Sequence, residues 1–238
     1  MGLVPDLRAV LGVDLVGSGS LPGHHVAAAR SVALAAVSGA LRDGELETDV
    51  LDWADTGDGA LITLPTTRVA DVVDAAVAVD SVLVEHNTWH KPDVRLRMAV
   101  EIGPVGEGAG LHRGRVDTNR LLDAQAVKDL FARCVEQTSG ATASALVISD
   151  KVINAVFSGD HTTRVRRSEF TPLRVVHKEF ADKAWVRVPG VDASTLARLV
   201  EPPQEAASAP PVANTVYGAM HGVQAHTING GVNLGGRR

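Results

Sequence analysis

The sequence predicts an α/β domain with helices packed on a sheet, followed by an extended linker and a short strand-forming tail. Three observations predict it. Strand and helix patterns alternate from Arg8 to about Pro189. From Glu201-Pro202-Pro203 to Pro210-Pro211 the chain turns to Pro, Ala and Ser with little apolar bulk. From Ala213 to Gly236 it turns again, to Gly, Asn, Gln, Val and Ile without an acidic residue. The predicted boundaries are a domain over 8–190, a linker over 191–212 and a tail motif over 213–236.

The elements follow from local pattern. Ala9 to Val16 is an apolar run that ends in Gly17-Ser18-Gly19, a buried strand meeting a loop. His25 to Leu41 carries Ala, Leu and Val at helical spacing and stops at Asp43-Gly44. Val50 to Trp53 and Ala60 to Leu64 bracket Thr56-Gly57-Asp58-Gly59, a hairpin signature. Val69 to Glu85 is a second amphipathic helix. Val94 to Val105 alternates as a strand, and Gly106 to Gly114 reads as a Gly-rich loop. Asp117 to Val135 reads as one helix with an apolar stripe of Leu121, Leu122, Val127, Leu130 and Phe131. Ala145 to Ile148 is a strand and Asp150 to Phe157 a short helix. Phe170 to Val176 and Ala184 to Val188 form a closing hairpin.

Composition removes several function classes. The 238 residues are 45% hydrophobic and 21% charged, with 23 basic against 28 acidic residues, so the formal net charge is −5. That balance does not suit general attraction to nucleic acid. Cys134 is the only cysteine, which rules out an internal disulfide and a cysteine-based zinc site. Met1 to Val10 lacks a basic start and apolar run, and every long apolar stretch is broken by charge. A cytoplasmic protein with no membrane or nucleic-acid partner is expected. The histidines do not converge on a site: His24 and His25 are adjacent, and Trp89-His90-Lys91-Pro92 reads as loop. Cys134 reads as core rather than nucleophile.

Two carboxylates stand out by position. Asp14 ends the first strand before the Gly-Ser-Gly loop, and Asp58 sits inside the Gly-Asp-Gly hairpin. Phosphoryl chemistry needs carboxylates for Mg²⁺ or Mn²⁺, main-chain N–H groups for phosphate oxygens, and cations for developing charge. Asp14 and Asp58 can supply the first and Gly17 to Gly19 the second. Arg120 and Lys178 are candidates for the third. Each also has a plain alternative: a turn residue for Asp58, a loop cap for Asp14, a surface ion pair with Asp117 or Asp123 for Arg120, and a solvated hairpin lysine for Lys178.

These residues carry a family resemblance. Gly12-Val13-Asp14-Leu15-Val16-Gly17-Ser18 and Thr56-Gly57-Asp58-Gly59-Ala60-Leu61 resemble the two metal motifs of class III nucleotidyl cyclases. Arg95 to Val105 resembles their central strand, and Arg120-Leu121-Leu122-Asp123-Ala124 their arginine helix. Val175-Val176-His177-Lys178 with Ala184-Trp185-Val186 resembles their final hairpin. The set runs in the family's order from about Val10 to Pro189 and is similar to a cyclase-like group common in actinobacteria.

The resemblance implies a ferredoxin-like α/β core and a homodimer with sites shared between chains. It implies Asp14 and Asp58 as the ligands of two metal ions, with Leu15, Gly17, Ser18 and Gly19 at the nucleotide. It also implies Arg120 and Lys178 as stabilisers of the phosphates while a nucleoside triphosphate is cyclised. Some such relatives make cyclic pyrimidine nucleotides in antiphage defence. The chain departs from the family where Val116 stands in place of an Asn, and where Asp52 and Asp55 occupy the stretch of a base-reading Lys. Those departures keep open a second function, a degenerate cyclase-like module that dimerises or senses nucleotide.

The tail from Asn214 to Leu234 has a near-mirror pattern around Gln224, with Val223, Gln224, Ile228 and Val232 in its apolar and amide alternation. In-register stacking would form amide ladders and dry apolar seams. The tail resembles bacterial amyloid signalling motifs and, more distantly, the homotypic interaction motif of receptor-interacting kinases. A receptor ATPase carrying a matching motif is the partner this resemblance implies. A disordered Gly-rich tail is the alternative.

Overall fold

The computed structural model describes residues 5–20, 22–106, 112–138, 141–159, 161–177 and 180–200. Lys178 and everything from residue 201 onward, including Val223, Gln224, Ile228 and Val232, lie outside the described residues.

Seven strands form one sheet, in the order β2-β3-β1-β4-β5-β7-β6. They are β1 (Leu7–Leu15), β2 (Asp52–Asp55), β3 (Gly59–Pro65), β4 (Leu96–Pro104), β5 (Ser144–Ser149), β6 (Thr171–His177) and β7 (Phe180–Arg187). The first four pair antiparallel as β2-β3-β1-β4, with α1 (Gly23–Asp43) following β1 and α2 (Val69–Trp89) following β3. That is the βαββαβ ferredoxin-like arrangement. β5 joins parallel to β4, and the β6–β7 hairpin closes the sheet.

Period-two alternation assigns each strand's side chains to two faces. Ala9, Leu11, Val13 and Leu15 of β1 and Leu96, Met98, Val100 and Ile102 of β4 face α1 and α2 in one core. Both helices present small residues there: Ala29, Ala33, Ala36, Val37 and Ala40 from α1, and Val72, Val73, Ala76, Val79 and Leu83 from α2. The i, i+3, i+4 spacing makes one buried stripe on each, and each fully buried Leu or Val is worth about 1.5–3 kcal/mol. The opposite face carries Gly12, Asp14, Arg97, Ala99, Glu101 and Gly103, and it is this face that holds the candidate chemistry.

That opposite face is covered by two helices where the sequence suggested one. α3 (Arg113–Asp123) lies over β1 and β4, and α4 (Gln125–Gln137) packs on β6. Ala124, fully buried with ψ 124°, breaks the run between them. Its carbonyl accepts from the Val127 and Lys128 amides and restarts the helix. The break redirects the chain from the centre of the sheet to its edge, which a straight helix could not do. α3 also begins at Arg113, so Gly114 belongs to its first turn rather than to the expected loop.

Residues 191–200 begin the linker in the sequence reading, but they contain α6 (Ala193–Val200) after α5 (Asp150–Phe157), and the compact unit runs to Val200. Asp192 caps α6 by accepting from the Ser194 and Thr195 amides at 3.0 Å each. Leu196 is fully buried, with Leu199 and Val200 packed beside it against the Leu173–Val175 side of the sheet. α2 likewise runs on to Trp89, and the His86 and His90 rings stack 5.0 Å apart. Cys134 is buried as expected, and burial pushes its thiol up to about 11.

The sheet's outer strands are β2 and β6. β2 has only four residues, of which the first and last are Asp52 and Asp55. β6 carries Pro172 and Arg174 as exposed residues.

Candidate active site

Strand pairing brings the two sequence-singled carboxylates together. Asp14 lies opposite Gly59 in the β1–β3 ladder, so it stands beside Asp58, and opposite Arg97 in the β1–β4 ladder. The Leu15 amide donates to the Asp58 carbonyl at 3.2 Å, which ties the β1 end to the hairpin. Asp55 Oδ1 accepts from the Gly57 amide at 2.7 Å, and Gly57 has φ +95°. A Cβ on Gly59 would lie 1.8 Å from the Val13 carbonyl oxygen. The turn therefore needs Gly57 for its left-handed backbone and Gly59 for its close approach to β1, and Asp58 is displayed between them.

The loop after β1 completes this corner. Gly17 has φ +76°, and Ser18 Oγ donates to Asp58 Oδ2 at 2.9 Å. Ser18 thus anchors the hairpin carboxylate, while Gly19 is exposed. Leu15 turns its side chain into the core under α1 and α2.

A residue that sequence reasoning left aside is Arg97, whose Nη2 ion-pairs with Asp14 Oδ2. Burial raises the Asp14 carboxyl above the usual carboxylate range; Arg97 pulls it down, and the charges of Asp58 and Asp123 push it up again. The rise marks a carboxylate that burial removes from water further than Arg97 compensates, with the neighbouring carboxylates a smaller contribution.

Arg120 stands on α3, where its Nη1 donates to Asp117 Oδ1 at 3.0 Å. Asp117 is 5% exposed and also accepts from Arg113 Nε at 2.7 Å through Oδ2. The surface pairing with Asp117 weighed in the sequence is therefore present, as a buried-acceptor contact that sets the guanidinium's direction. Arg115, on the same helix, reaches back to Asp52 of β2 at 2.6 Å.

α3 is held flush to the sheet by a seam of small residues. A Cβ on Gly103 would lie 2.6 Å from Gly114 Cα, and one on Gly12 would lie 2.6 Å from Thr118 Cγ2. The obstacle at Gly59 and Gly103 is main chain, whereas at Gly12 it is the end of a side chain. Stability should therefore fall in the order Gly59→Ala, then Gly103→Ala, then Gly12→Ala, with overpacking of about 1–3 kcal/mol at Gly103. Urea unfolding of the three variants checks this, and Gly103→Ala should also displace Arg120 by lifting α3.

Behind α3, Glu101 of β4 is 1% exposed and accepts from Lys151 Nζ at 2.7 Å. Lys151 itself is 56% exposed. Burial raises the Glu101 carboxyl despite the lysine. A raised folded-state value stabilises the chain below the ordinary carboxylate range, and that contribution is lost as pH rises through the folded value. Glu101→Gln lacks this loss. Its melting temperature relative to the unsubstituted chain should be higher at pH 8 than at pH 4, as thermal scans at the two pH values would show.

Among the described residues, no three His, Cys, Asp or Glu side chains group to hold a metal ion. Two adjacent carboxylates are a partial donor set of hard oxygens, which suits Mg²⁺ or Mn²⁺ completed by substrate phosphates and water better than an all-protein cage. A cation already rests on one of them, the Arg97 guanidinium. The residues fit such an ion.

No protein-family model matches the chain. No curated protein matches it either. Solved structures do. A bacterial light-regulated adenylyl cyclase superposes with TM-score 0.54 at 14% identity, over 82% of this chain and 98% of that one. An adenylate/guanylate cyclase/hydrolase from Silicibacter pomeroyi gives TM-score 0.52 at 17% identity, over 77% and 97%. The fold of residues up to Val200 matches the class III cyclase catalytic core, and the likeness is one of fold. No described helix is long and apolar enough to cross a membrane.

Proposed function

We propose that the domain is a nucleotidyl cyclase that converts a nucleoside triphosphate to a 3′,5′-cyclic nucleotide and pyrophosphate. The observation that carries the reading is the adjacency of Asp14 and Asp58 at one corner of a cyclase-type sheet, next to a left-handed Gly17. Two Mg²⁺ or Mn²⁺ ions held by Asp14 and Asp58 would acidify the ribose 3′-hydroxyl and neutralise phosphate charge, a two-metal mechanism. Gly17, Ser18 and Gly19, with the main chain of Leu15, cradle the triphosphate. The 3′-oxygen bonds to the α-phosphorus as the bond to the bridging oxygen of pyrophosphate breaks. Arg120 and Lys178 take up the charge that develops on the phosphates. The chain acts as a homodimer, with Arg120 serving the partner's carboxylates.

The tail is proposed to assemble through Val223, Gln224, Ile228 and Val232, alone or templated by a receptor ATPase with a matching motif. Assembly would couple the domain to a signalling or antiphage defence response in the cytoplasm. A second reading, a nucleotide-sensing module without catalysis, is favoured by Val116 and by the arginine on Asp14.

Incubating the purified chain with all four ribonucleoside triphosphates and Mn²⁺, read by mass spectrometry, separates the two. Cyclic product supports the enzyme; nucleotide bound without turnover supports the sensor. Mixing Asp14→Ala and Arg120→Ala chains should restore up to about a quarter of wild-type activity, because random exchange makes half the dimers mixed, each with one intact site. No recovery after verified subunit exchange would remove the shared site.

A further inference from the structure

We infer that Arg97 is an internal counter-ion that competes with the divalent cation for Asp14, so that the chain binds metal weakly until Arg97 is drawn away. The inference rests on reading Asp14 and Asp58 as metal carboxylates. Arg97 and Asp14 are cross-strand partners on adjacent central strands, with side chains 14% and 22% exposed. The guanidinium is therefore delivered to the carboxylate by the sheet itself rather than by a mobile surface side chain. Its Nε is buried without a hydrogen-bond partner in the structure. The contact is thus made through Nη2 and leaves the buried Nε unsatisfied, so the guanidinium gains by turning to an anion that can meet it more fully. Arg95, two residues earlier on the same face, pairs instead with Asp93 at 3.3 Å.

A carboxylate oxygen held by a guanidinium is a poorer metal ligand, since metal must displace a charge-assisted hydrogen bond and meet a nearby positive charge. Asp58 has no such obstacle; its described side-chain partner is the neutral Ser18 hydroxyl. A triphosphate arriving with its ion brings the alternative anion that Arg97 requires. Metal and nucleotide then bind together more readily than metal alone, a coupling that works in both directions.

Mn²⁺ titration of the full chain by electron paramagnetic resonance, without nucleotide, tests this. Arg97→Gln should bind Mn²⁺ about tenfold more tightly than the unsubstituted chain. Arg97→Lys, which keeps the cation, should stay near the unsubstituted value, and Arg97→Gln with Asp14→Asn should lose the gain. If Arg97→Gln binds no tighter while Asp14→Asn weakens binding, the metal site stands and the competition is overturned. If no variant shows Asp14-dependent binding, the metal reading falls and the competition with it. A measurement on the unsubstituted chain serves where Arg97→Gln fails to fold. Saturating Mg²⁺ should speed exchange of the Arg97 guanidinium protons in ¹⁵N nuclear magnetic resonance, and unchanged exchange would overturn the proposal.

Discussion

Asp14→Asn and Asp58→Asn should each lower the rate of cyclic nucleotide formation by roughly 100-fold or more, because each removes charge that the proposed phosphoryl chemistry depends on. The two should differ in stability. Asp14→Asn strips Arg97 of its anion and leaves a half-buried guanidinium without a charged partner, which should cost about 1 kcal/mol or more. Asp58→Asn removes a like charge from beside Asp14 and keeps an oxygen for Ser18 Oγ, so it should be neutral or slightly stabilising. Loss of activity without loss of stability is the signature of a site that trades one for the other. Product formation measured at limiting Mn²⁺, alongside thermal unfolding, checks both halves. An Asp58→Asn chain as active as the unsubstituted one would remove the cyclase assignment.

The second large effect concerns the tail. The full chain should form fibrils with a cross-β reflection near 4.7–4.8 Å, and Val223→Pro should abolish them. Proline removes a ladder donor and fixes φ in the middle of the alternating Val, Ile and amide segment. Ala206→Pro should have no effect, because the surrounding Pro- and Ala-rich stretch reads as already extended. Thioflavin fluorescence and fibre diffraction of the three chains read the outcome. Equal assembly by the Val223→Pro chain would leave the tail without a signalling role.

The order of strands and helices was legible because β1 is an apolar run closed by Gly17-Ser18-Gly19, β4 sets Arg95, Arg97 and Glu101 among apolar residues, and α1 and α2 carry apolar residues at helical spacing. The break at Ala124 was not legible, because alanine favours helix and only its position under the sheet makes it turn. α6 was readable in principle: Asp192 before Ser194 and Thr195, then Leu196, Leu199 and Val200 at helical spacing, is a capped amphipathic turn. The prolines that follow drew the linker boundary too early. At the candidate site, Asp58 was legible as a hairpin residue. The obstacle that makes Gly59 necessary lies 46 residues away at Val13 and appears only when β1 and β3 pair. Arg97 was missed for the same reason. Its meaning comes from the register that sets it opposite Asp14, 83 residues earlier in the chain.

The two outer strands of the sheet bear on how a folded domain would tolerate the tail assembly proposed above. A protein that carries a self-templating segment risks having its own folded sheet recruited as a seed, since any bare strand edge offers unpaired N–H and C=O groups. β2 offers only four residues, and its end residues Asp52 and Asp55 are charged and engaged by Arg115 and Arg30, so it is too short to extend a ladder. β6 interrupts its donors with Pro172 and projects Arg174, neither of which an in-register stack of uncharged strands accommodates. Under the proposed tail assembly, conversion would pass from one tail to the next and stop short of the globular part.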